Sequence, residues 1–178
     1  MTRTSSWLMA IIAVGLAVLG GGAISAQDKY TVQVPNGLAF SEFRGYEDWQ
    51  VVAVSQLANG DLKVIVANPV MIEAYRAGVP GNGKPFPDGS KIAKIHWTAK
   101  KMAAAPAPTM EPDTLHDVGF IVRDSKRFAA TGGWGYAEFP YDAASDTFKP
   151  LGTGSACGFA CHTLVKKKDY IFTTYQKR

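Results

Sequence analysis

Two stretches early in the chain, "WQVVAVSQL" at 49–57 and "DLKVIVA" at 61–67, are apolar runs rich in β-branched residues and flanked by polar positions. The pattern predicts two strands joined by a hairpin turn at Asn59-Gly60, since this dipeptide accepts the positive φ angles that such turns require. "NPVMIEAYRAG" then changes to a helical period. Asn68 is placed to cap it, Pro69 falls at its first position and Gly78 ends it.

After a loop dense in glycine and proline, "VPGNGKPFPDGS", comes a third strand, "KIAKIHWTAK" at 91–100. "KMAAAPAPTMEPD" reads as a connector without core positions. "LHDVGFIVRDS" predicts a fourth strand, "SKRFA" a single helical turn and "GWGYAEFPY" a fifth strand. A glycine-rich approach leads to "ACGFACHT" and a terminal segment, "LVKKKDYIFTTY", with helical character. The order predicts an α+β fold: one domain with a mainly antiparallel sheet and a few short helices.

The first 26 residues are expected to be a leader rather than part of the fold. Arg3 precedes the apolar run "WLMAIIAVGLAVL", and "GGGAISA" supplies small residues for cleavage after Ser25 or Ala26. The run is shorter than the ~18 residues a membrane span needs. An uncleaved anchor is the alternative, and either reading exports the chain, to the periplasm or beyond. Residues 27–178 then form a single domain.

Composition adds little. The net charge of +4 falls to +3 once Arg3 leaves with the leader. The charges are mixed along the chain, and the basic run "KKKDY" reads as a solvated helix end, so nucleic acid is not an expected partner. A mildly basic surface suits an acidic redox partner protein.

The candidate chemistry is concentrated in one place. Both cysteines of the chain, Cys157 and Cys161, lie in "ACGFACHT", and His162 follows the second. Haem attachment requires two thiols on one side of a turn and an imidazole within reach of the iron. Residues three or four apart on a helix share a face, so a separation of four is within reach. A disulfide between Cys157 and Cys161 is also feasible, which would leave His162 incidental. Zinc fits poorly, because no fourth ligand lies nearby. The spacing leaves haem and disulfide open.

On the third strand, alternation places Lys91, Ala93, Ile95 and Trp97 on one face, and Ile92, Lys94, His96 and Thr98 on the other. Lys94 would be costly in a plain core, so from the strand alone this is a solvent face. His96 and His116 read as hydrogen-bonded structural residues. No phosphate loop, nucleophile elbow or paired carboxylates appear.

"GYEDWQVVAVS", "FPDGSKIAKIHW", "VGFIVRDSKRFAATGGWGYAEF" and "ACHTLVKKKDYIFTTY" occur in that order. With these blocks the chain, from Tyr46 to its C-terminus, resembles the cytochrome P-460 family, which includes the cytochromes c′-beta. The resemblance implies a periplasmic homodimer with one covalent haem c, its iron held by His162 and open on the other side. In members that oxidise hydroxylamine toward nitrous oxide, a strand lysine is bonded to the macrocycle, and Lys94 matches it by position. Members of the c′-beta type lack the cross-link and bind nitric oxide. Cys161 and His162 match the attachment motif, but Gly158 holds the place of the first cysteine and Cys157 lies one residue earlier. The expected outcomes are therefore two thioethers through a bulged loop, one thioether through Cys161, or a haem-free binding domain with a disulfide. Glu138 lies in a matching block, with its direction unassigned.

Overall fold

The computed structural model describes residues 26–176. All of the predicted leader except Ala26 therefore lies outside the described residues, and no described helix is long and apolar enough to cross a membrane. Six antiparallel strands follow one another in a meander: β1 (Gln50–Gln56), β2 (Leu62–Ala67), β3 (Lys91–Lys101), β4 (Met110–Arg123), β5 (Trp134–Asp142) and β6 (Thr147–Phe148). Helix α1 (Pro69–Arg76) crosses between β2 and β3, and α2 (Ala156–His162) follows β6. The α+β architecture expected from the pattern is the one observed.

Where local chemistry is strong, the elements fall as expected. The Asn68 side chain accepts from the Met71 N–H and caps α1, with Pro69 at its first position. Gly60 takes a φ of 97° in the β1–β2 turn.

Three segments differ. The proline-containing connector is shorter than expected, because β3 and β4 continue as a long hairpin in which Ala99 pairs with Pro112 and Lys101 with Met110. The helical turn after β4 falls at Ala129–Thr131, beyond "SKRF". The terminal segment forms a 3-10 helix, Thr163–Lys168, and is then extended. The short 3-10 turns of residues 29–48 and strand β6 carried no periodic signal.

Each face of the sheet is covered by different parts of the chain. Ala93, Val118, Phe120 and Phe139 point into a core closed by the N-terminal segment through Val34, Leu38, Phe40, Phe43 and Tyr46. Phe120 stacks on Phe43, with ring centroids 4.1 Å apart, and meets Phe40 edge-on. The opposite face carries three rows of side chains. Ala67, Ile92, Ile121 and Tyr136 form the first, and α1, α2 and Ile171 pack over them. Ala53, Ile65, Lys94, Gly119 and Glu138 form the second. The third, Ser55, Lys63, His96 and Asp117, is polar. This face therefore passes from a covered apolar end to a charged end.

Candidate functional site

Helix α2 is fastened to β5 at its start. The Tyr136 N–H donates to Ser155 Oγ at 3.0 Å, and that hydroxyl donates back to the Tyr136 carbonyl at 3.4 Å. One turn on, Gly158 lies against the Tyr136 side chain so closely that a Cβ there would be 2.5 Å from Tyr136 Cβ. A cysteine cannot occupy position 158 with this packing. Cys157 and Cys161 lie one helical turn apart, and both are free and exposed.

His162 ends α2, and its orientation is set from outside the helix. Its Nδ1 lies 2.5 Å from the Tyr170 carbonyl oxygen. A carbonyl only accepts, so Nδ1 carries the proton and the lone pair is on Nε2. Burial lowers the pKa of His162, the bond to Tyr170 works in the opposite direction, and the positive charge of Lys94 lowers it further. The net result is a neutral imidazole, the form that binds a metal. The rings of Tyr136 and Phe172 flank it, at 4.8 and 4.9 Å between centroids.

The carbonyl is aimed by an unusual turn. Asp169 and Tyr170 are both left-handed, with φ of 50° and 63°. Such a pair is costly and persists only when over-determined by its surroundings. The Asp169 carboxylate supplies the restraint: it accepts from the Phe86 N–H at 2.7 Å, from Arg123 at 3.2 Å and from the Trp134 indole at 3.4 Å.

Lys94 occupies the second row of the same sheet face. It is neither core nor free surface: its amine is 3.1 Å from Glu138 Oε1 and 3.3 Å from Asp117 Oδ1. Gly119, the residue between Lys94 and Glu138 across the sheet, makes the first contact possible, since a Cβ there would be 3.1 Å from Lys94 Cε. Glu138 therefore faces the same side as Lys94 and Tyr136. Burial acts to raise the pKa of Asp117, but Lys94 and the hydrogen bonds from His116 and His96 outweigh it and hold the carboxyl below its ordinary value.

These residues fit a haem. Nε2 of His162 is available to iron, the two thiols lie together on one helix, and apolar side chains stand exposed beside them, Phe172 at 48% and Leu164 at 82%. Sequence reading missed Asp117, Gly119 and the Tyr170 carbonyl. Cross-strand register would have indicated the first two, whereas nothing local marks the third.

Among curated proteins, none matches the chain. The cytochrome P-460 family, by contrast, matches residues 43–173, most of the chain. This region includes the lysine strand, the Glu138 strand and the cysteine–histidine helix, and the chain belongs to the cytochrome P-460 family of haem cytochromes.

Proposed function

We propose that this chain is an exported mono-haem c-type cytochrome that oxidises hydroxylamine toward nitrous oxide. The observation that carries the reading is the Lys94–Glu138 pair, 3.1 Å apart on the sheet face toward which the His162 helix packs. When bound, the haem supplies an iron with one open position and an electron sink.

The protein's own groups do the rest. Cys161, and Cys157 one turn before it, are the tethering thiols. His162 would hold the iron through Nε2, with the Tyr170 carbonyl fixing its ring and enriching it in electron density. The Lys94 amine, anchored between two carboxylates, would be the group to form a cross-link to the haem. Hydroxylamine oxidation releases protons and electrons in equal number. The half-exposed Glu138 carboxylate accepts protons and passes them to water, and the electrons leave to a redox partner protein. Export through the leader at 1–26 would bring the thiols to haem-attachment machinery, and a homodimer is the expected assembly.

The test is a preparation from cells that export the chain and mature c-type cytochromes. The expected protein is coloured, stains for haem after denaturing electrophoresis, and absorbs well to the red of an ordinary ferrous cytochrome. Lys94→Ala should restore an ordinary spectrum and lose turnover. A coloured protein whose ferrous spectrum is ordinary and unchanged by Lys94→Ala would point instead to nitric oxide binding or electron transfer. A colourless protein with its two thiols joined would remove both haem readings.

A further inference from the structure

The third row of the sheet face ends in a cluster whose two histidines the haem reading does not use. Asp117 is 2% exposed, and its Oδ2 lies 2.7 Å from Nδ1 of His96 and 2.7 Å from Nδ1 of His116. The two rings are 4.5 Å apart. His116 reaches this position through a β-bulge: His96 pairs with Asp117 and Trp97 with Leu115, which leaves His116 as the extra residue of β4. On the far side of His96, Nε2 lies 3.1 Å from Asp61 Oδ2.

Proton accounting for His96 closes only with an added positive charge, either a second ring proton or a metal ion. A neutral imidazole has one N–H and one lone pair. With the proton on Nδ1, the Nε2 lone pair faces the Asp61 carboxylate; with it on Nε2, the Nδ1 lone pair faces Asp117. Either way two acceptors are held against each other unless a further cation joins them. Asp117 Oδ1 is also buried without a hydrogen-bond partner, next to the Lys94 ammonium.

We propose that His96, His116 and Asp117 bind one zinc-type divalent cation. The ion lies among the two Nδ1 atoms and the Asp117 carboxylate, whose donor atoms are all within 4.8 Å of one another. His96 then donates from Nε2 to Asp61, the carboxylate–imidazole–metal arrangement that orients metal-bound histidines. Two imidazoles and one carboxylate suit zinc, and a water completes the tetrahedron because the His116 side chain is 56% exposed. Bonds of ~2.0–2.1 Å place neighbouring donors roughly 3.3 Å apart, so the cluster opens slightly on loading, and the exposed His116 ring can move. Lys94 opposes the ion, but it is shared with Glu138, and the carboxylates of Asp61 and Asp117 leave the cluster anionic. The site does not depend on the haem reading.

The experiment is calorimetric titration of untagged, haem-loaded protein with Zn²⁺, followed by metal analysis after gel filtration. If the protein is colourless, a Cys157→Ala/Cys161→Ala background removes the thiol ligands, so the two proposals fail separately. One ion per chain is expected, and His116→Ala, which removes a direct ligand, should weaken binding by more than the ~10–100-fold that loss of an outer-shell partner costs, with the fold and any haem spectrum unchanged. Asp117→Asn should weaken it as well. Zn²⁺ binding that is identical in wild type and His116→Ala would overturn the site. So would the absence of binding, in which case nitrogen NMR should show both His96 ring nitrogens protonated, a proton supplying the missing charge.

Discussion

Gly158 packs directly on the side chain of Tyr136, with no room for a single added carbon. The contact joins the cysteine–histidine helix to the sheet. Gly158→Ala is expected to push α2 off β5 and destabilise the fold by about 1–3 kcal/mol, as over-packing generally does. Chemical denaturation checks the stability. Haem retention should fall in parallel, because the ligand helix loses its seat.

Cys157 and Cys161 are exposed neighbours on one helical face. Each is expected to form its own thioether. Cys157→Ala should therefore weaken haem retention under denaturing conditions without abolishing it, whereas Cys161→Ala should cost more, because that thiol adjoins His162. Mass spectrometry of the denatured chain reads both outcomes, and complete indifference to Cys157→Ala would show that it is no attachment point.

Glu138 reaches Lys94 across Gly119. If it receives the protons of hydroxylamine oxidation, Glu138→Gln should lower turnover by about 10²–10⁴-fold at unchanged haem content. A smaller amide change confined to KM would assign Glu138 to holding Lys94 instead. Stopped-flow reduction kinetics across a pH range separates the two.

Tyr75 is buried against Thr173 and its phenol pKa is pushed up to about 12 by burial, with the hydrogen bond to Thr173 acting the other way. The protonated form is favoured in the folded state, so its stabilising contribution is complete below the ordinary value near 10 and is lost as pH rises from there through about 12. Stability should decline over that window by on the order of 2 kcal/mol from this group. Tyr75→Phe should flatten the decline without removing it, since Tyr46 and Tyr136 are shifted in the same direction. Thermal melts between pH 9 and 12 measure it.

β-Branched runs in 49–57 and 61–67, alternation in 91–100, the apolar stretches of 115–125 and 133–141, the Asn59-Gly60 turn and the Asn68-Pro69 cap were enough to read five of the strands and one helix, because each is specified by neighbours within a few residues. The Cys157, Cys161 and His162 spacing was legible too, but the helix α2 that carries it was not, and the haem reading came from the resemblance rather than from the spacing. Lys94 was assigned to the correct strand face, but the strand alone read that face as solvent and it is partly covered instead, since burial depends on what the rest of the chain lays over it.

Three features belong to tertiary structure alone. Glu138 and Asp117 meet Lys94 only through the register of three strands, and register is a property of pairing rather than of any one strand. His116 turns toward His96 because a bulge breaks the alternation from which its direction would be read. The Tyr170 carbonyl that orients His162 is a backbone atom in a left-handed turn held by Asp169, whose three donors come from residues far apart in the chain. Side-chain chemistry was written in the sequence. Direction and partnership came from the fold, because they depend on contacts between residues that the chain itself keeps apart.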